Sequence, residues 1–338
     1  MKIIVRRIRK EDIPKLVKFN TSVYPERNKI EESISYRFLN NPFSRQLDSY
    51  IAHLEDDSII GQILLMPSQF KYNGEIKYAT WGMDYIVYEE YRGSIAGAQL
   101  CKKAIKENLH FGIGLSDVSL KMHLIFNEKN IGQMTKYIKV FNILSFATLV
   151  TKRFRTINYT FPEQIKVGGA YFNRVNKPEE IKSDNGYWYG NGMLEFSRNN
   201  DFLKWRFFYY PEKYIVYTMQ NDSDKQNSIY FVLRNVVWRN LNCFLLVDYR
   251  FNSNSDFKLI LKAIAKLSRL NNVSATITGS SLGSLDRLLK KNLYFPYGNK
   301  MDILTNFNEY YCINNLTKNV MVTFADSDCD HYFGNKKW

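Results

Sequence analysis

The stretch from residue 84 to residue 106 constrains this chain more than any other. Asp84, Tyr85, Ile86 and Val87 read as the end of a strand. Arg92, Gly93, Ser94, Ile95, Ala96, Gly97 and Ala98 then form a loop of mostly small residues. The run that follows carries Leu100, Cys101, Ala104 and Ile105 at helical spacing. The first N–H groups of a helix have no intrahelical partner, and the helix dipole favours negative charge beside them. Small residues ahead of such a start let a pyrophosphate reach those amides. A plain turn and cap would look the same at this level.

The segment before the loop narrows the choice. Runs at 50–54, 59–71 and 76–88 are strand-like, with Asp56-Asp57 and Asn73-Gly74 as hairpin turns between them. The loop therefore follows an antiparallel meander. Dinucleotide-binding and Walker loops lie in βαβ units with other Gly or Lys patterns, so both are excluded. Upstream, a short strand begins at Val5, and Asp12 is placed to cap a helix bearing Ile13, Leu16, Val17 and Phe19. A second helix is expected over 30–39. Downstream, the pattern predicts a strand over 120–126, a turn at 127–130, a helix carrying Ile131, Met134, Tyr137 and Ile138, and a strand over 144–150.

Residues 151–200 are punctuated by Gly168, Gly169, Gly186, Gly190 and Gly192 and form the best boundary. Beyond them the order of elements repeats. A helix over 201–208 leads to strands over 214–219, 228–238 and 242–249, a helix over 256–270, a strand over 273–278 and a helix over 282–291. The last strands are expected near 300–304 and 320–324. A length of 338 residues suits two domains. The expected fold class is α+β, with tandem units over 1–150 and 151–338, each a mixed, mostly antiparallel sheet flanked by helices.

Composition removes several classes. Hydrophobic residues make up 45%, enough for sizeable cores, so wholesale disorder is excluded. No apolar run approaches the ~18–20 residues of a membrane span, and the N-terminal residues turn charged too soon for a signal peptide. Lys and Arg total 47 against 33 Asp and Glu, a net charge of +14. The basic residues are scattered rather than clustered, which fits phosphorylated ligands as well as nucleic acid. Cys101, Cys243, Cys312 and Cys329 form no close pair and read as reduced, cytoplasmic thiols. Neither these nor His53, His110, His123 and His331 have the spacing of a zinc site, and no metal is expected. Asp326, Asp328 and Asp330 are expected in a turn facing solvent or an active site. The 24 Tyr and 23 Phe read mainly as core.

Glu90-Tyr91-Arg92-Gly93-Ser94-Ile95-Ala96-Gly97, placed after a fourth strand, resembles the acyl-CoA signature Arg/Gln-x-x-Gly-x-Gly/Ala of the GNAT superfamily of N-acyltransferases. Ile95 stands where that signature has its first glycine. The resemblance covers the first ~150 residues, about one domain. The second half, where Asp248-Tyr249-Arg250-Phe251 leads into a helix without a glycine loop, looks like a copy without a cofactor site. The segment Asp201 to Arg206 is similar to one in tandem GNAT proteins associated with bacterial surface-polysaccharide synthesis. The resemblance implies acetyl-CoA or another acyl-CoA as cofactor, bound by Tyr85, Ile86 and Val87 and by residues 92–98. It also implies a small amine acceptor, such as a nucleotide-linked amino sugar. The family's acid is commonly a tyrosine on the helix after the fifth strand, which points to Tyr137, with His123 as another donor. Asp84, mid-strand among apolar neighbours, is the candidate base. Two other readings stay open: a transferase dependent on aminoacyl-tRNA, and a binding protein without catalysis.

Overall fold

The computed structural model describes residues 2–142, 158–183, 185–209, 213–219, 228–307, 319–327 and 329–332. These fall into two compact units. The first takes residues up to Gln133 and recruits the segment from Met301. The second takes Met134 to Lys300 and the residues from Met321.

In the first unit the strands are β1 (Ile4–Arg7), β2 (Tyr50–His53), β3 (Ile59–Tyr72), β4 (Glu75–Val87) and β5 (His110–Ile113). They lie side by side in that order. The first four are antiparallel, whereas β4 and β5 are parallel. Asn73 and Gly74, with φ of 49° and 86°, make the tight β3–β4 turn. Positive φ at both central residues matches the strand twist, as Asn-Gly favours. Helices α1 (Ile13–Val23) and α2 (Ile30–Ile34) lie on one face, and α2 runs into a π-helical turn over Ser35–Leu39. Asn20 of α1 and Gln62 of β3 pair their amides reciprocally at 2.8 and 2.9 Å, which fixes that helix on the sheet. On the other face α3 (Ala96–Glu107) sets Ala96, Leu100 and Ala104 against Ile63, Leu65 and Val87. Asp12 departs from the expectation. It does not cap α1; its carboxylate accepts from the Arg9 N–H and from Arg6.

The segment after β5 reverses the expectation. Residues 117–125 are helix α4 (Asp117–Ile125), and β6 spans Lys129–Val140. The alternation of Leu120, Met122, Leu124 and Phe126 imitates a strand. The Ser116 side chain, however, accepts from the Ser119 N–H and starts a helix that buries only Ser119 and His123. Conversely, the helix-like spacing of Ile131, Met134 and Ile138 is overridden by pairing: Thr135–Val140 zips antiparallel onto a strand that lies far along the chain, Ala275–Ser280. The strand expected over 144–150 lies outside the described residues.

The second unit has β7 (Gln164–Val167), β8 (Ala170–Val175), β9 (Leu194–Phe196), β10 (Tyr214–Met219), β11 (Tyr230–Trp238), β12 (Leu241–Arg250) and β13 (Ala275–Ser280). Its sheet runs β6-β13-β12-β11-β10-β8-β7, with only β12 and β13 parallel. The short helix α5 (Asn200–Leu203) continues into a π turn over Lys204–Phe208. Helices α6 (Asn254–Leu270) and α7 (Gly283–Lys291) cover the core through Phe257, Ile260, Ile264, Leu285 and Leu289. The short strands β14 (Phe295–Pro296), β15 (Met301–Thr305) and β16 (Val320–Met321) follow; of these β15 belongs to the first unit, where it pairs antiparallel with β5.

Two details recur between the units. Tyr36-Arg37-Phe38-Leu39 and Trp205-Arg206-Phe207-Phe208 both sit in π turns. Asp84-Tyr85 lie in a bulge of β4 against β3, and Asp248-Tyr249 directly follow a bulge of β12 at Val247. In the second unit Asp248 is wholly buried and accepts hydrogen bonds from Arg198, Arg250, Tyr230 and Thr323 at 2.7–3.1 Å. Burial opposes its charge, but Arg198 and Arg250 outweigh burial and hold the carboxyl well below its ordinary range. Removing one member of a buried ion group leaves the others unpaired in low dielectric. Asp248→Ala is therefore expected to destabilise the chain by about 3–5 kcal/mol, read from urea unfolding followed by tryptophan fluorescence. A loss below about 1 kcal/mol would show that the cluster behaves like a surface pair.

Candidate acyl-CoA site in the first unit

The candidate site is built at the end of β4. The β3–β4 register slips between Gln62 and Leu64, and Asp84 in the bulge takes φ of 43°. A left-handed backbone is tolerable for Asp and costly for a branched residue. On the other side β4 is registered with β5 only at Thr80–His110 and Trp81–Phe111. Residues 82–87 run on past the last registered pair, so the two parallel strands part there.

Beyond β4 the chain makes a 3-10 turn over Glu89–Tyr91, where Glu89 and Glu90 are exposed. The Ser94 hydroxyl donates to the Tyr91 carbonyl at 2.7 Å and accepts from the Ala96 N–H at 3.2 Å. The first i to i+4 bond of α3 runs from the Gln99 N–H to the Ile95 carbonyl at 2.9 Å. The N–H groups of Gly97 and Ala98 lie ahead of it, at the positive end of the helix. A side chain at Gly93 would meet nothing within 4 Å, whereas one at Gly97 would stand 3.1 Å from the Tyr85 hydroxyl. Ile95 is 59% exposed, so its side chain points away from the loop instead of filling it. Arg92 is exposed and donates through Nε to the Val87 carbonyl at 3.4 Å. Residues 85–87 and 92–98 thus meet at one edge. This edge of β4 leads to a helix start flanked by small residues, with the Val87 carbonyl taken by Arg92 and the Asp84 carbonyl by the Gln62 amide at 3.3 Å.

The proposed acid and base fare differently. Asp84 is not an unpaired carboxylate. Arg27 grips it with two hydrogen bonds of 2.9 and 2.8 Å, and Arg37 stands 3.6 Å away. These three line a small cavity of about 20 Å³ with Asn20, Ile30 and Ser33. Tyr137 is not on a helix after β5. It lies on β6, 1% exposed, opposite Thr278, among the core residues of the second unit. The helix that does follow β5 is α4, and it carries His123. The acidic tail also differs from expectation: Asp326 and Asp330 are buried, and Asp330 accepts from Arg206 at 2.6 Å and from Tyr214 at 2.8 Å. Their charges are spent on arginines, and Asp328 lies outside the described residues. Cys101, Cys243 and Cys329 are buried thiols outside any disulfide, and Cys312 lies outside the described residues.

Sequence reasoning missed Glu128 and His110. His110 on β5 and His123 on α4 both direct Nδ1 at the buried carboxylate of Glu128, at 2.5 and 2.7 Å. The two rings stack with centroids 5.3 Å apart. Glu128 lies just five residues past His123, yet the expected strand and turn pointed the two side chains apart.

No protein-family model matches the sequence, and no curated relative matches it. Solved structures do. A probable N-acyltransferase of Enterococcus faecalis superposes with a TM-score of 0.58 at 13% identity, over 90% of this chain and 72% of that one. The GCN5-related N-acetyltransferase of Anabaena variabilis gives 0.56 at 12%, over 89% and 72%. The N-myristoyltransferase of Saccharomyces cerevisiae, solved with bound myristoyl-CoA, gives 0.57 at 9%, over 90% and 82%. Among the described residues no helix is long and apolar enough to cross a membrane. The chain has the α+β fold of the GNAT-type N-acyltransferases.

Proposed function

We propose that this protein is an acyl-CoA-dependent N-acyltransferase acting on the primary amine of a small acceptor. The observation that carries the reading is the junction of the parted β4 edge with the small-residue start of α3, in a fold shared with N-acetyl- and N-myristoyltransferases. An acyl-CoA supplies a thioester carbonyl open to attack by an amine. The backbone of residues 82–87 binds the amide-bearing arm and polarises that carbonyl. The N–H groups of Gly97 and Ala98, with the charge of Arg92, hold the diphosphate. In this reading Asp84 serves shape: paired with Arg27 and Arg37, it keeps the bulge in place.

An acetyl donor and a nucleotide-linked amino sugar, in surface-polysaccharide synthesis, are the pairing this reading puts forward first. The second unit is taken as a copy without a cofactor loop. Recurrence of the Arg-bearing π turn, and of an Asp-Tyr pair at or next to a strand bulge, supports that view.

Acetyl-CoA is expected to raise the thermal midpoint of the protein. Gly93→Asp is expected to abolish that rise, because it sets a negative charge where the diphosphate lies. The ligand-free stability of this variant should stay within about 0.5 kcal/mol of wild type, since the position is open. An unchanged midpoint at millimolar acetyl-CoA with the wild-type protein would sink the reading.

A further inference from the structure

Three buried side chains of the first unit remain without a role: His110, His123 and Glu128. A carboxylate is rarely buried without a partner, and this one has two imidazoles. The separations of 2.5 and 2.7 Å are hydrogen-bond lengths. Two ligands on one zinc ion, at ~2.0–2.2 Å each, would stand roughly 3 Å or more apart. The contacts therefore share protons instead of coordinating a metal. Burial opposes ionisation of Glu128, yet the charge and hydrogen bonds of the histidines outweigh it and bring its pKa down to about 2. An ionised Glu128 requires both Nδ1 atoms to donate. On a neutral ring this fixes the Nδ1–H tautomer and leaves Nε2 with a lone pair.

The two Nε2 atoms meet different surroundings. His110 Nε2 is buried without a partner and faces Gly82, where a Cβ would come within 2.5 Å of it. His110 is closed off by the backbone of β4. The His123 side chain alone of the three retains exposure, at 1%. Its ring meets Tyr85 edge to face at 6.2 Å, and the Tyr85 hydroxyl borders Gly97. One aromatic ring thus separates His123 from the loop that starts α3. Around it stand Glu128, His110, Tyr85 from β4 and Cys101 from α3. Burial pushes both the tyrosine and the thiol up, so neither is a base at neutral pH.

We propose that His123 carries the proton in the acyl transfer, with Glu128 and His110 as the positioning residues that fix its ring; the inference rests on the acyltransferase reading above. As the amine nitrogen bonds to the thioester carbon and the carbon–sulfur bond breaks, the proton leaving the amine passes to His123 Nε2. The departing sulfur takes it from there. Amide and free thiol are the products, and the imidazole returns neutral. Burial, together with the neighbouring His110, lowers the pKa of His123 against the pull of Glu128, which keeps the accepting form populated at neutral pH.

The test is a two-bond 1H–15N spectrum of the full chain labelled at histidine, with and without saturating acetyl-CoA. The His123 ring should appear as the Nδ1–H tautomer in the ligand-free protein. Acetyl-CoA should move the Nε2 resonance of His123 and leave that of His110 in place. Glu128→Gln should turn His123 into a tautomer mixture. If acetyl-CoA raises the thermal midpoint but both Nε2 resonances stay still, or move alike, the inference falls and the acyltransferase reading stands. If acetyl-CoA does not bind at all, both fall. Uptake of one equivalent of Co(II) with loss of the Nδ1 protons would also overturn it. A second measurement needs no ligand. The folded chain holds the pKa of His123 below 6.5 and that of Glu128 below 4.5, so the unfolded chain binds more protons as the pH drops. The stability supplied by the pair should be complete above pH 6.5, decline below it and fall further below pH 4.5. A thermal midpoint flat from pH 7 to pH 4, matched by Glu128→Gln, would count against the proton-sharing arrangement.

Discussion

The grip of Arg27 and Arg37 on Asp84 is the interaction on which the first unit depends. A residue forced into the left-handed region inside a strand stores about 1–3 kcal/mol, and such a kink persists only if something outside the strand holds it. Here a bidentate guanidinium and a second one at 3.6 Å do so from the α1–α2 side of the sheet. The bulge re-aims Tyr85 towards α3, and beyond Trp81 the strand leaves β5. The parted edge, the ring beside His123 and the approach to Gly97 all follow from one charged contact on the opposite face. Asp84 thus matters to the site without facing it.

The second unit uses the same device to a different end. Its Asp248 stands one residue past a bulge at Val247, but the partners, Arg198 and Arg250, are wholly buried, and Thr323 and Asp326 join them. Where the first unit leaves a cavity lined by Asn20, Arg27, Arg37 and Asp84, the second has its own chain hydrogen-bonded to Arg206. A buried network of this kind stabilises little beyond an apolar core of equal volume. It does punish any rearrangement that would leave a charge alone.

Local chemistry was legible in the sequence and long-range pairing was not. Asn73-Gly74 names its own turn, and the loop at 92–98 declares itself by small residues ahead of helical spacing. The apolar positions of α3 have one period and one neighbour, so its bounds follow closely. Residues 117–140 fail on both counts. Leu120 to Phe126 alternates like a strand, and Ile131 to Ile138 is spaced like a helix, yet a Ser116 cap and pairing with β13 decide otherwise. That inversion hid the site's most informative contact, because Glu128 and His123 converge only if α4 is a helix. Arg206 and Asp330 are 124 residues apart, and no periodicity carries that information. The recurrent Arg-bearing π turn and Asp-Tyr pair span a few residues each, too few to stand out before their shared geometry is known.

The entry of late segments into both units bears on how the protein is made. β5 lacks its neighbour β15 until residues near 305 exist, and Arg206 waits for Asp330. Neither unit can complete its packing while the ribosome is still adding those residues. Until then the guanidiniums of the second unit must stay hydrated and its sheet loosely closed, a state with exposed apolar surface. Contacts this distant in sequence also slow the final closure. Both units thus wait for residues beyond 300 before their packing closes, and yield in the cell should depend on temperature and chaperone supply.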